Sequence, residues 1–127
     1  MVPRTAAHEL HCDAIMLENA GVGIERYMNL LSASQKLVSS NIANVDTPGY
    51  KTKDIDFQSE LASQFGSQDP AAVEVAGLKT KNDGNNVNMD RESRRLSENA
   101  LRFAVATNLA RSELQTLRSA IEEGKTS

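Results

Sequence analysis

Aromatic residues are nearly missing from this sequence: two Tyr, three Phe and no Trp in 127 residues, 4 % of the chain. Aromatic side chains carry much of the burial in a compact core, so a globule with a deep pocket is disfavoured, and a small enzyme with it. Apolar residues reach only 39 %, below the usual share for a soluble globular domain. Cysteine occurs once, at Cys12, which excludes an internal disulfide framework. No apolar run approaches the roughly 20 residues of a membrane span. His8, Glu9, His11, Asp13 and Glu18 interrupt the start of the chain, and no cleavable signal peptide is visible. Charge is almost balanced, with 14 Lys+Arg against 17 Asp+Glu and a net −3. That balance points to neither a nucleic-acid surface nor an acidic tail. The chain is therefore expected to be one domain, cytoplasmic or exported without such a signal, that builds its core from long helices or from neighbours.

What is present is periodicity at the two ends. Residues 22–44 carry Ile24, Met28, Leu31, Gln35, Val38 and Ile42 at alternating steps of four and three. A second seam, Ile24, Tyr27, Leu31, Ser34 and Val38, runs beside the first. Residues 88–121 carry Leu96, Ala100, Phe103, Thr107, Ala110, Leu114, Leu117 and Ile121 at the same steps. This spacing sets apolar groups in one stripe of a helix with a period near 3.5, the signature of coiled-coil packing. Asn88 or Asp90 suits the N-cap of the second helix, and Gly124 suits its stop.

The domain reading is a flexible N-terminal extension at 1–21, a helix at 22–44, a turn and irregular middle at 45–87, a coiled-coil helix at 88–122 and a tail at 123–127. Residues 45–87 hold seven Asp/Glu against four Lys and no sustained period. Within that middle, 54–65 fits a short helix, 71–78 a short extended piece, and 81–86 a run of turn formers. Pro48 and Gly49 suit the central positions of a type II turn. The expected fold is mainly α: two long helices packed as a coiled-coil hairpin around a largely irregular middle. Neither stripe can be satisfied by its own helix, and two helices leave part of each exposed.

The run SSNIANVDTPGYK at 39–51 resembles the signature of the flagellar rod and hook axial proteins, S-x-N-[IVL]-A-N-x-x-T-x-G-[YF] after the first helix. KDIDF at 53–57, DGNNVNMDRE at 83–92 and NALRF at 99–103 narrow the resemblance to the proximal-rod type of flagellar basal-body rod protein. Residues 1–21 extend beyond the expected start of that family's chain. The resemblance implies a structural subunit, not an enzyme, with no catalytic residue and no cofactor. It implies export through the flagellar type III system and assembly in the periplasmic rod by packing of N- and C-terminal helices, to transmit torque and enclose the export channel. Implied partners are copies of itself, other rod subunits, the rod-base adaptor, the export gate and the membrane ring, with no nucleic acid and no small-molecule substrate. The residues it singles out are the signature turn, Asn41, Asn44, Thr47, Pro48, Gly49 and Tyr50. The assembly seams are Ile24, Leu31, Val38, Ile42, Leu96, Phe103, Leu114, Leu117 and Ile121.

Other chemistries fare worse. His8, His11 and Cys12 can share a helix face, but a fourth zinc ligand is not evident and no metal is expected. A calcium loop with Gly84 at its sixth position would put Lys79 and Lys81 at ligand positions, which fails. Asp54 and Asp56 read as an exposed pair without a nucleophile or base beside them. Arg91, Arg94, Arg95 and Arg102 read as a solvated or subunit-facing surface, with Glu98 and Arg102 paired along the helix. A soluble helical-hairpin adaptor that binds one partner helix is the alternative function.

Overall fold

A computed structural model describes residues 4–63 and 69–125; within 4–17 the side chains described are those of Cys12, Ile15 and Met16. His8 and His11 therefore lie outside the described side chains. Five elements follow in order: α1 (Arg4–Ala43), β1 (Lys53–Ile55), α2 (Phe57–Ala62), β2 (Ala72–Glu74) and α3 (Met89–Lys125). The two long helices have 40 and 37 residues, about 60 and 55 Å at 1.5 Å per residue.

α1 extends well ahead of residue 22, through Gly21 and Gly23, to Arg4. Each helical glycine costs about 1 kcal/mol relative to alanine. The preceding run of Ala, Leu, Met and Glu favours helix strongly enough to carry the backbone through both. The helix stops where Asn44 turns its side-chain amide onto the Ser40 carbonyl at 2.8 Å. At the other end, Asn88 caps α3, its Oδ1 accepting from the Arg91 amide at 3.1 Å. α3 does not stop at Gly124; its last residue is Lys125.

The helices pair antiparallel, as the matched contacts show. Asn41 meets Glu92 and Ser34 meets Asn99. Tyr27 and Ala106 line one groove, and Gly21 lies against Glu113. The first three layers step by seven residues on both helices, which is heptad packing. On α1 the inward stripe is the second of the two seams in the sequence, with Leu31, Ser34, Val38 and Asn41 buried. On α3 it is Glu92, Asn99 and Ala106, not the aliphatic stripe. Leu96, Phe103, Leu114, Leu117 and Ile121 stay exposed one stripe round the helix. One helix can cover only one seam of another, and the covered seam is the polar one, where Asn41 bonds Glu92 and the Asn99 amide nitrogen bonds Ser34 across the interface while the Asn99 Oδ1 is left without a partner.

The middle segment lies on this hairpin. β1 and β2 form a two-stranded antiparallel ribbon, Lys53 opposite Glu74 and Ile55 opposite Ala72. Asp56 caps α2 by accepting from the Ser59 amide at 3.1 Å. Arg26 of α1 donates to the Glu60 carbonyl at 2.5 Å and to Ser63, holding the end of α2. The Phe57 ring meets Tyr27 edge-on at 6.3 Å, and the Arg102 guanidinium lies 5.8 Å from its centre. The aliphatic core is small: Leu30, Leu31, Val38, Ile55, Val87 and Ala106.

Candidate assembly site

The signature turn is built from the end of α1 outward. Pro48 and Gly49 occupy the centre of a turn closed by the Tyr50 amide on the Thr47 carbonyl at 3.2 Å. Gly49 has φ 74°, which a type II turn requires at that position. The turn is docked on the loop at 81–87. The Gly49 amide donates to the Asp83 carbonyl at 2.9 Å. A side chain on Gly84 would meet the Gly49 Cα at 3.4 Å, so the two backbones pass closely. Gly49→Val is expected to disrupt this docking, because a β-branched residue resists positive φ. Swimming equal to wild type in a strain carrying it would refute that.

Asparagine amides fasten the turn to its surroundings. Asn41, fully buried, uses its whole hydrogen-bonding capacity. Its Nδ2 donates to the Lys53 carbonyl at 2.8 Å and to Glu92 Oε2 at 3.0 Å. Its Oδ1 accepts from the Tyr50 hydroxyl and the Lys53 amide, both at 3.1 Å. Asn85, equally buried, donates to the carbonyls of Asn44 at 2.9 Å and Thr47 at 2.8 Å, while its Oδ1 accepts from the Val87 amide at 2.8 Å. Asn86 accepts from the Thr52 amide at 2.7 Å. Lys51 and Lys81 add bonds to the carbonyls of Gly84 and Val45 at 2.7 and 3.0 Å. A buried polar network of this kind specifies one arrangement because each unmatched group would be costly.

The acidic and basic residues beside the turn are also inside. Asp54 is buried on β1, not exposed on a loop. Its Oδ2 meets Arg91 at 2.7 Å and also contacts Arg95. Arg91 bridges onward to fully buried Glu92 at 2.5 Å. So Arg91 and Arg95 clamp β1 to the start of α3 rather than forming a solvated surface. Arg94 stays exposed, and Arg102 pairs with Glu98 as the helical spacing predicts. Asp54→Ala would leave two guanidinium groups without their shared partner. We expect a loss of roughly 2–3 kcal/mol, discounted for the partial exposure of both arginines. Arg94→Ala should change little, and equal urea midpoints for the two variants would contradict the clamp.

Comparison with known proteins bears on this arrangement. The sequence profile of "Flagella basal body rod protein" matches residues 28–51. The chain is similar to the "Flagellar basal body rod protein FlgB" of Borreliella burgdorferi, 31 % identical, over 66 % of this chain and 82 % of that protein. It belongs to the flagellar basal body rod proteins of the FlgB type. The FlgB of Escherichia coli is 28 % identical over 76 % of this chain and 88 % of its own, and that of Yersinia enterocolitica 27 % over 76 % and 89 %.

Within this rod protein the residues singled out from sequence fall into two groups. The structure brings Asn41, Asn44, Thr47, Gly49 and Tyr50 into one network, with Pro48 exposed at the tip. Leu31 and Val38 are buried and Ile24 and Ile42 half-buried inside the hairpin, while the α3 seam residues are exposed. Sequence reasoning missed the partners of the turn: Asn85 and Asn86, Thr52, and the Asp54, Arg91 and Glu92 chain. A signal for part of it exists in the sequence. Asn41 and Ser34 on α1, and Glu92 and Asn99 on α3, repeat at seven residues within seams that should be apolar.

Proposed function

We propose that this chain is a structural subunit of the flagellar rod that assembles side by side with other axial subunits, transmits torque and lines the export channel. The observation that carries the reading is the α3 stripe. Leu96, Phe103, Leu114, Leu117 and Ile121 form an aliphatic and aromatic face that the hairpin leaves open. A contiguous apolar face of this kind marks a protein interface, and a heptad face is one that other helices cover. The polar knot around Asn41 and Asn85 gives each subunit a rigid reference from which that face is presented.

The same reading makes the chain a non-enzyme, exported through the flagellar type III system to the periplasmic rod. Among the described residues no helix is long and apolar enough to cross a membrane. Its partners are copies of itself, other rod subunits, the rod-base adaptor, the export gate and the membrane ring. The test is deletion of the gene in its own bacterium. Loss of swimming, basal bodies without a rod, and restoration of both by the intact gene support the reading. A deletion strain that swims normally would end it. A purified chain that forms a stable, fully helical dimer with one partner would favour the adaptor function instead.

A further inference from the structure

The two flanks of α3 differ in a way that suggests how one copy meets the next. On one flank, a groove of about 510 Å³ runs between the helices, bordered by Gly23, Ile24, Tyr27, Val105, Leu109 and Glu113. It is lined mainly by carbon, yet the Glu113 Oε1 is buried there with no hydrogen-bond partner. The residues three and four away from Glu113 on its helix are Leu109, Ala110, Thr116 and Leu117, so no neighbouring turn supplies a cation. Across the groove the carboxylate faces Gly21, whose Cβ position lies 3.8 Å away. A side chain on Gly23 would touch nothing within 4 Å, which leaves that wall of the groove open.

The other flank is the complement. Leu114 and Ile121 are 65 % and 60 % exposed. Between them on the helix stands Arg118, its side chain 83 % exposed and only 3.9 Å from an equally solvated Glu122. An exposed pair of that kind contributes little, so the cation is available. Residues 112 and 116 line the groove, and residue 114 begins the ridge that ends at Ile121. A two-residue offset is about 200° around a helix, so the two surfaces point away from each other.

We propose, resting on the rod-subunit reading above, that the groove holding Glu113 receives residues 114–121 of a second copy, with Arg118 of that copy paired to Glu113. Each surface supplies what the other lacks: a mostly carbon-lined groove with one unpaired acid, and an aliphatic ridge with one loosely held base. A carboxylate oxygen held out of water gains from a cationic partner. Because donor and acceptor lie on opposite flanks, the contact is heterologous. It repeats from copy to copy instead of closing a dimer, and such contacts generate rings or helical filaments.

Charge exchange tests the pairing. Glu113 and Arg118 are five residues apart on α3, too far round the helix to pair within one copy. Introduced at the native locus, E113R and R118E are each expected to reduce swimming to that of the deletion strain. The double exchange E113R/R118E is expected to restore swimming and rods in purified basal bodies, because every copy then presents a base in the groove and an acid on the ridge. A double variant no better than either single one overturns the pairing. So does rescue of E113R by R111E, or by a suppressor in another gene, since either names a different occupant. If a single variant loses its helical circular dichroism, Gly23→Leu decides instead. It fills the groove while raising helix propensity, and should keep helicity and lose swimming; normal swimming overturns the proposal. A deletion strain that itself swims would remove the rod-subunit reading, whereas an immotile deletion strain with no rescue removes only this contact.

Discussion

Replacing Asn41 with alanine is expected to remove roughly 3–4 kcal/mol of stability, a large share of the about 5–15 kcal/mol typical of a domain. The side chain is fully buried and makes four hydrogen bonds to Tyr50, Lys53 and Glu92. Alanine leaves a Lys53 amide, a Lys53 carbonyl and one oxygen of a buried carboxylate without that partner. Each such group costs about 1–3 kcal/mol when water cannot reach it. The loss should be less than the sum, because the cavity can relax and admit water. Asn44→Ala is the comparison. Its amide bonds only the local Ser40 carbonyl and its oxygen the Thr47 hydroxyl, both near solvent, so about 1 kcal/mol is expected. Urea unfolding followed by circular dichroism measures both. A similar small shift for the two variants would show that Asn41 does not anchor the turn.

The contrast between these asparagines marks what the chain made legible. Asn44 bonds the Ser40 carbonyl, Thr47 bonds the Asn44 side chain, and Pro48 and Gly49 sit in a turn closed from Tyr50 to Thr47; all of these lie within a few residues, and local turn chemistry reveals them. The resemblance to a family signature pointed to Asn41 and Tyr50 as well, but not to what they touch. Asn85 reaches across 41 and 38 residues to the carbonyls of Asn44 and Thr47. Nothing in a run of turn formers says which distant carbonyls it will meet. Asp54 shows the same limit. Its charge reads as exposed until β1 is laid beside α3, where Arg91 and Arg95 surround it. Heptad spacing identified both helices, but it could not choose between adjacent seams on α3. The buried choice rested on pairing: Glu92 with Asn41 and Asn99 with Ser34. Apolar spacing alone would have buried Leu96 and Phe103.

That choice of seam divides two substitutions that look alike on paper. Val38→Asp and Leu114→Asp each place a carboxylate on a heptad stripe. Val38 is 3 % exposed inside the hairpin, whereas Leu114 is 65 % exposed. Val38→Asp buries a charge inside the hairpin. It should cost about 4 kcal/mol or more and unfold much of the hairpin before any assembly can begin. Leu114→Asp should change the stability of the isolated chain by no more than about 0.5–1 kcal/mol, chiefly through helix propensity. Its effect appears where neighbouring subunits cover the stripe, since the carboxylate must then lose its water. Swimming and rod assembly should therefore be abolished by both variants, for different reasons. Purified Leu114→Asp should retain the helicity and urea midpoint of the wild-type chain, and Val38→Asp should not. If Leu114→Asp swims normally, the exposed stripe is not an assembly surface; if it unfolds the isolated chain, the stripe belongs to the hairpin's own core.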